Sequence, residues 1–349
     1  MNRAAIIYAL ISAALFGIST PAAKVLLGAV DPVVLAGLLY CGAGFGAAIL
    51  RRVGSGASSD IREARLSRKD MPWLTGAIAA GGIAGPMLLM LGLAKTDGAT
   101  ASLLLTLEGA ATALIAWFVF HENFDRRIAL GMASLVLGAA ILAWTGSPSL
   151  QGALGPLAIA GACIAWGLDN NLMRKVSLAD PLQVVELKGM IAGPVNIALG
   201  LWAGGSLPAI PSLFIALVVG FLGYGVSLAL FVAALRHLGA ARTSAYFSAA
   251  PFFGAAVAVV ALGYPLTGQL IAGGALMAIG IWLHLSEHHE HDHLHEPMTH
   301  THSHTHDEHH QHAHSNKDPA GEPHTHVHTH AKLRHTHAHT PDMHHVHRH

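Results

Sequence analysis

Charge is what this chain has least of. Of its 349 residues only 11% are charged, 20 Lys+Arg against 20 Asp+Glu, where a soluble domain carries about a quarter. So little charge cannot cover a water-facing surface, which excludes an ordinary soluble enzyme. Cysteine is nearly missing too: Cys41 and Cys163 each lie inside an apolar run with no partner nearby. They support neither a disulfide framework nor a cysteine metal site and read as small packing residues. No nucleotide-binding glycine loop, nucleophile motif or HExxH helix is present, so the chain does not read as an enzyme, and no nucleic-acid partner is expected. What it has in abundance is apolar side chains, 52% of the total, and glycine, 38 residues.

The zero net charge hides two unlike parts. Residues 1–286 hold 16 Lys/Arg, 11 Asp/Glu and three histidines, His121, His237 and His284. Residues 287–349 hold the other 24 histidines with nine acids and four bases. The first part is an apolar body. The second has almost nothing from which to build a packed core and is expected to be a disordered tail.

A membrane helix needs roughly 20 mostly apolar residues. The body divides into ten such stretches, about 4–23, 32–50, 72–93, 99–119, 128–145, 154–173, 181–202, 212–234, 241–262 and 267–285. The first, with Arg3 ahead of it, resembles a secretory signal, but its length and the nine spans that follow make it a retained helix. Thirteen Lys/Arg fall in the N-terminus and the loops on its side, against Lys24 and Lys95 on the other. Cytoplasmic loops are enriched in these residues. Both termini are therefore expected in the cytoplasm, in a bacterial-type inner membrane.

The two halves echo each other. Phe16-Gly17, Lys24 and Asp31-Pro32 recur as Trp166-Gly167, Arg174 and Asp180-Pro181, and Lys95, Gly98, Gly131 and Gly138 recur as Arg236, Gly239, Gly273 and Gly280. Five helices per copy means that the second enters the membrane from the opposite side. Inverted repeats of this kind generate the alternating states of secondary transporters, with the substrate at the repeat interface.

The segments LFGISTPAAKVLL, GLAKTDGATASLLLTLEGAATALIAWFVFHENF and GMASLVLGAAIL, echoed by IAWGLDNNLMRKV, AALRHLGAARTSAYFSAAPFFGA and GYPLTGQLIAGGALMAIG, resemble the drug/metabolite transporter superfamily, specifically proteins with two EamA-type repeats. The resemblance covers about residues 5–285. It implies an all-α membrane protein of ten helices, with repeats at 1–146 and 150–286 and the tail at 287–349, that exports amino acids, nucleosides or other small metabolites. Three positions depart from the family pattern. Gly109 stands where a proline is common in the fourth helix, Tyr264 where a glutamate follows the ninth, and Leu39-Tyr40 where the second helix often has a base.

Ionisable groups inside a membrane helix cost about 2.5–3.5 kcal/mol and face a cavity or a partner. Glu108, at the middle of the fourth stretch, reads as a protonatable gate or a contact for a cationic substrate, against a protonated carboxyl that serves packing. Asp169 and Asn170 lie near the end of the sixth stretch, and Glu186 and Lys188 near the start of the seventh. Residues two apart on a helix diverge, so only one of the latter two can meet Asp169, and Lys188 is the expected partner. Trp166 and Tyr246 are the aromatic cavity candidates. The cluster His121-Glu122-Asn123-Phe124-Asp125 reads as a cap for the fifth helix. Gly42 with Gly46, Gly81 with Gly85 and Gly200 with Gly204 permit close helix approach, and a homodimer remains open.

The tail alternates histidine with small residues. The repeating imidazoles are His288, His289, His291, His293, His295, His300, His302, His304, His306, His309, His310, His312, His314, His324, His326, His328, His330, His335, His337 and His339. Imidazole with interleaved carboxylates suits Zn, Ni, Co and Cu(II), so the tail reads as a multi-site chelator, with pH sensing as an alternative. No cofactor is expected to be needed for the fold. Three functions follow: an exporter of a divalent metal or metal-linked metabolite, an amino-acid or metabolite exporter whose tail only senses or buffers metal, or a membrane-anchored metal store.

Overall fold

The computed structural model describes residues 3–54, 68, 70–120, 126–144, 150–173, 176, 180–238 and 240–285, and within the tail 289–295, 298–304, 324–330 and 333–339. Among the described residues ten helices are long and apolar enough to cross a membrane: α1 Arg3–Leu26, α2 Pro32–Val53, α3 Met71–Lys95, α4 Gly98–Val119, α5 Arg126–Ala143, α6 Gly152–Met173, α7 Pro181–Trp202, α8 Ile210–Leu235, α9 Arg242–Leu262 and α10 Gly268–Leu285. Each agrees with the sequence-derived span to within a few residues.

Short polar residues start the helices. Asp31 accepts from the amides of Val33 and Val34, Asp97 from Thr100, Asp180 from Leu182, and Thr267 from Leu270. Each satisfies donors that a first helical turn leaves open. In α2 and α7 a proline follows the capping aspartate, where its missing N–H costs nothing. The shared Asp-Pro is thus the repeat acting locally. Large apolar side chains in the middle of the helices, such as Leu137 and Ile164, stand 54% and 59% exposed on the outside, as lipid contact requires. Trp73, Trp144, Trp202 and Trp282 lie near helix ends, where interfacial tryptophans gather.

The repeat is clearest where the helices are irregular. α3 widens into a π turn at Ile78–Ala84 and α8 does so at Phe221–Val226, an offset of 221 − 78 = 143. α4 is interrupted at Leu105-Thr106 and α9 at Ser248-Ala249, again 248 − 105 = 143. Around the α4 break the amides of Leu105, Thr106, Glu108 and Gly109 bond back three residues instead of four, the tighter pattern of a 3₁₀ turn.

Helices of opposite repeats pack in pairs: α2 with α7, α5 with α10, α1 with α8 and α9, and α6 with α3 and α4. Glycine sets the close approaches. A Cβ on Gly17 would lie 2.0 Å from the Ala250 carbonyl oxygen on α9, and one on Gly167 would lie 2.9 Å from Ala111 backbone on α4. These two glycines are matched in the repeat and do matching work. Gly42, Gly46, Gly81 and Gly85 are likewise pressed against neighbours. Gly204 is not. It ends α7 with φ 92° and open space around it, a left-handed conformation that glycine adopts at no steric cost.

The main apolar core, including Leu35, Leu89, Met90, Leu93, Leu104 and Leu135, fills the half of the bundle away from the termini. Smaller clusters around Ala5, Ala9, Ala234 and Leu238, and around Leu74, Ile78 and Val184, leave the terminus-side half less completely filled.

Four segments of the tail are described, as two antiparallel pairs. His289–His295 pairs antiparallel with Leu333–His339, and Met298–His304 with His324–His330. A strict period of two with frequent threonine is the pattern a strand accepts. His288, His306, His309, His310, His312 and His314, and the cluster 121–125, lie outside the described residues.

Candidate functional site

A cavity of about 290 Å³ opens from the middle of the bundle into the terminus-side half. The interruption in α4 puts Glu108 in the first turn of a half-helix, Leu107–Phe120. The partial positive charge of a helix N-terminus favours a carboxylate there. From α6, Trp166, Asp169 and Asn170 stand at i, i+3 and i+4, on one face, and all three line the cavity.

Asn170 Nδ2 donates to Glu108 Oε1 at 2.9 Å and to Thr112 Oγ1 at 3.2 Å, while Thr112 Oγ1 donates to the Glu108 carbonyl at 2.8 Å. Asn171 Nδ2 donates to the Thr112 carbonyl at 3.0 Å. α4 and α6 are therefore tied together directly beneath the acid. Across from them, Lys188 Nζ reaches both oxygens of Asp169, Oδ1 at 2.7 Å, and Asp169 is only 6% exposed. The pairing expected from the sequence is present. The ammonium and the Asp169 carboxylate compensate each other, and Glu108 is the further acid of this wall.

The facing wall is aromatic. Phe16 packs edge-on to Tyr224 with ring centroids 5.5 Å apart, and its ring lies 5.3 Å from Phe247, which stands 5.1 Å from Phe231. Tyr40 continues the row, 6.1 Å from Tyr224. Below them α1 is fastened to α8 by Ser12 and Ser227, each hydroxyl donating to the other's carbonyl, at 2.7 and 2.9 Å. The rings present apolar faces whose negative quadrupoles attract a cation.

Of the residues singled out from the sequence, Glu108, Trp166, Asp169, Asn170 and Lys188 come together here. Glu186 does not line the cavity: it pairs with Arg51, which also lies 3.5 Å from Asp180, joining the ends of α2 and α7. Tyr246 is also absent from the lining. It packs against Ala5, Ala9, Ala234 and Leu238, because one residue along a helix turns the side chain about 100° and it is Phe247 that faces inward. Phe16, Tyr224 and Phe231 enter from α1 and α8. The matched Phe16/Trp166 pair is the sequence signal that points to the first of them. Among the described residues no three His, Cys, Asp or Glu side chains converge as a metal site.

The model of the EamA-like transporter family matches residues 3–144 and 153–286. A protein of Methanothermobacter thermautotrophicus described as an uncharacterized transporter is 27% identical over 282 residues, 77% of this chain and 82% of its own. A Salmonella typhimurium protein described as a "probable amino-acid metabolite efflux pump" is 26% identical over 205 residues, 53% of this chain and 66% of that one. A solved crystal structure shares the fold with a TM-score of 0.58 at 20% identity, covering 81% of this chain and 96% of that one.

Proposed function

The chain belongs to the EamA-like transporter family, and we propose that it exports a small organic solute bearing an ammonium group and an apolar body. One observation carries this reading: among the described residues Glu108 forms no ion pair, its carboxylate accepting instead from the Asn170 amide while the nearby Lys188 is held by Asp169, and it faces a row of aromatic rings across a cavity of about 290 Å³. The neighbouring carboxylate is already neutralised by Lys188. A solute whose ammonium meets Glu108 and whose apolar part lies on Phe16, Tyr224 and Phe247 completes both walls. The relative described as an amino-acid metabolite efflux pump agrees with that class of cargo.

The positive loops support termini in the cytoplasm, and the cavity then faces the cytoplasm while the far half of the bundle is closed. The arrangement is one of two alternating states. Its inverse would open the far side by the repeat symmetry.

A divalent metal has less to hold it. The cavity supplies two carboxylates, one of them engaged by an ammonium, with no imidazole or thiol among its lining residues, whereas transition metals favour such ligands. Metal belongs to the tail in this reading. Its strand register sets His289, His291 and His293 opposite His339, His337 and His335, and His300, His302 and His304 opposite His328, His326 and His324. Such repeated pairs favour a chelating tail that senses or buffers metal beside the transporter.

The test is a comparison of amines with their N-acetyl derivatives in proteoliposomes of the full-length protein. Export of amino-acid amines and esters, together with rejection of the acetylated forms, supports the reading. Equal export of both forms refutes it.

A further inference from the structure

The polar wall of the cavity rests on a single glycine. Within the π turn of α3, the Gly81 carbonyl accepts two side-chain hydrogen bonds, from Tyr40 Oη on α2 at 2.6 Å and from Trp166 Nε1 on α6 at 2.9 Å. Asn196 of α7 holds the next carbonyl, that of Gly82, at 3.1 Å. A π turn shifts the backbone ladder from i+4 to i+5 and is found frequently at functional sites. Here it presents carbonyls to three neighbouring helices at one level of the membrane.

The missing side chain matters as much as the carbonyl. A Cβ on Gly81 would lie 1.9 Å from Asp169 Oδ2, 2.3 Å from its Cγ and 2.6 Å from its Cβ, and one on Gly85 would lie 2.7 Å from Trp166 Nε1. The carboxylate that carries Lys188 and the indole that lines the cavity both lie against bare backbone of α3. No other residue type at position 81 leaves room for that carboxylate.

We propose that Gly81 is the positioning residue of this site. Through its carbonyl it fixes Tyr40 and Trp166, and through its lack of a Cβ it seats the Asp169–Lys188 pair. The inference rests on the reading of the cavity as the transport site. It also deepens that reading. Since the hydroxyl of Tyr40 and the N–H of Trp166 are both turned onto Gly81, cargo meets these residues through their rings, and Glu108 is left as the polar anchor.

The experiment uses the full-length protein in lipid nanodiscs and reads Trp166 emission, isolated by subtracting the spectrum of the Trp166→Phe variant. Gly81→Ala drives a methyl into Asp169 and is expected to move the Trp166 emission maximum. Adding Asp169→Gly together with Lys188→Met removes all three atoms that the new Cβ strikes without stranding the ammonium, and is expected to return it toward the position of the Asp169→Gly, Lys188→Met protein that keeps Gly81. An unmoved maximum in Gly81→Ala, or one displaced as far when the pair is absent, overturns the proposal.

If Gly81→Ala does not fold, Tyr40→Phe tests the same point with no steric load. Amides of Ile78–Ala84 are expected to exchange roughly three- to tenfold faster, the scale of one lost hydrogen bond, and unchanged exchange overturns the proposal. Neither readout uses cargo. Their failure therefore leaves the export reading standing, and a failure of export leaves them intact.

Discussion

Lys188 on α7 donates to both carboxylate oxygens of Asp169 on α6, and the two side chains are only 13% and 8% exposed. A pair so enclosed has little water to fall back on when one member is removed.

Lys188→Met is accordingly expected to destabilise the protein by about 3–5 kcal/mol, because it strands a buried carboxylate, whereas Lys188→Met with Asp169→Leu recovers most of the loss. Thermal unfolding in detergent checks this. A single variant as stable as wild type would mean that the pair is solvated.

Glycines of the bundle are expected to divide sharply. Gly17→Ala forces a methyl to 2.0 Å from the Ala250 carbonyl and should cost about 1–3 kcal/mol by overpacking. Gly109→Ala meets nothing within 4 Å and should be neutral or stabilising by about 0.5–1 kcal/mol, the helix preference of alanine. The same unfolding measurement compares them.

Phe247→Leu shortens the aromatic row between Phe16 and Phe231 without altering any charge. For an amine cargo the half-saturating concentration should rise roughly three- to tenfold, the worth of a partly desolvated cation–π contact, with folding unaffected. Initial-rate export from proteoliposomes measures it.

Truncation after Leu285 removes the whole histidine tail. Isothermal titration with Zn or Ni should lose its multi-site binding, while organic export at low metal persists. Loss of export by the truncated chain would instead make the tail part of the pathway.

Much of this architecture is legible in the sequence, and for identifiable reasons. Ten apolar runs, the Asp31-Pro32 and Asp180-Pro181 starts and the matched Phe16-Gly17 and Trp166-Gly167 depend on local chemistry, which a linear reading captures. Asp169 and Lys188 follow from the rule that buried charge seeks a partner. The break that positions Glu108 leaves no comparable trace. In α9 Pro251 marks the matching break, whereas in α4 Leu105 and Thr106 tighten without any proline. The role of Gly81 is equally silent, since a glycine facing another glycine and one facing a carboxylate read alike. Tyr246 and Phe247 are equally legible as aromatics, but two adjacent rings carry no mark in the sequence of which one the fold turns into the cavity.

The most direct test of the export reading is the spectrum of amine metabolites released by cells that make the wild-type protein or Glu108→Gln, followed by mass spectrometry. Glutamine keeps the volume of the side chain and can still accept from Asn170, so the variant should insert at wild-type levels. The account predicts that one or more amine-bearing solutes accumulate in the medium with the wild-type protein and fall to the background of empty cells with Glu108→Gln. Identical release by the two proteins would contradict it.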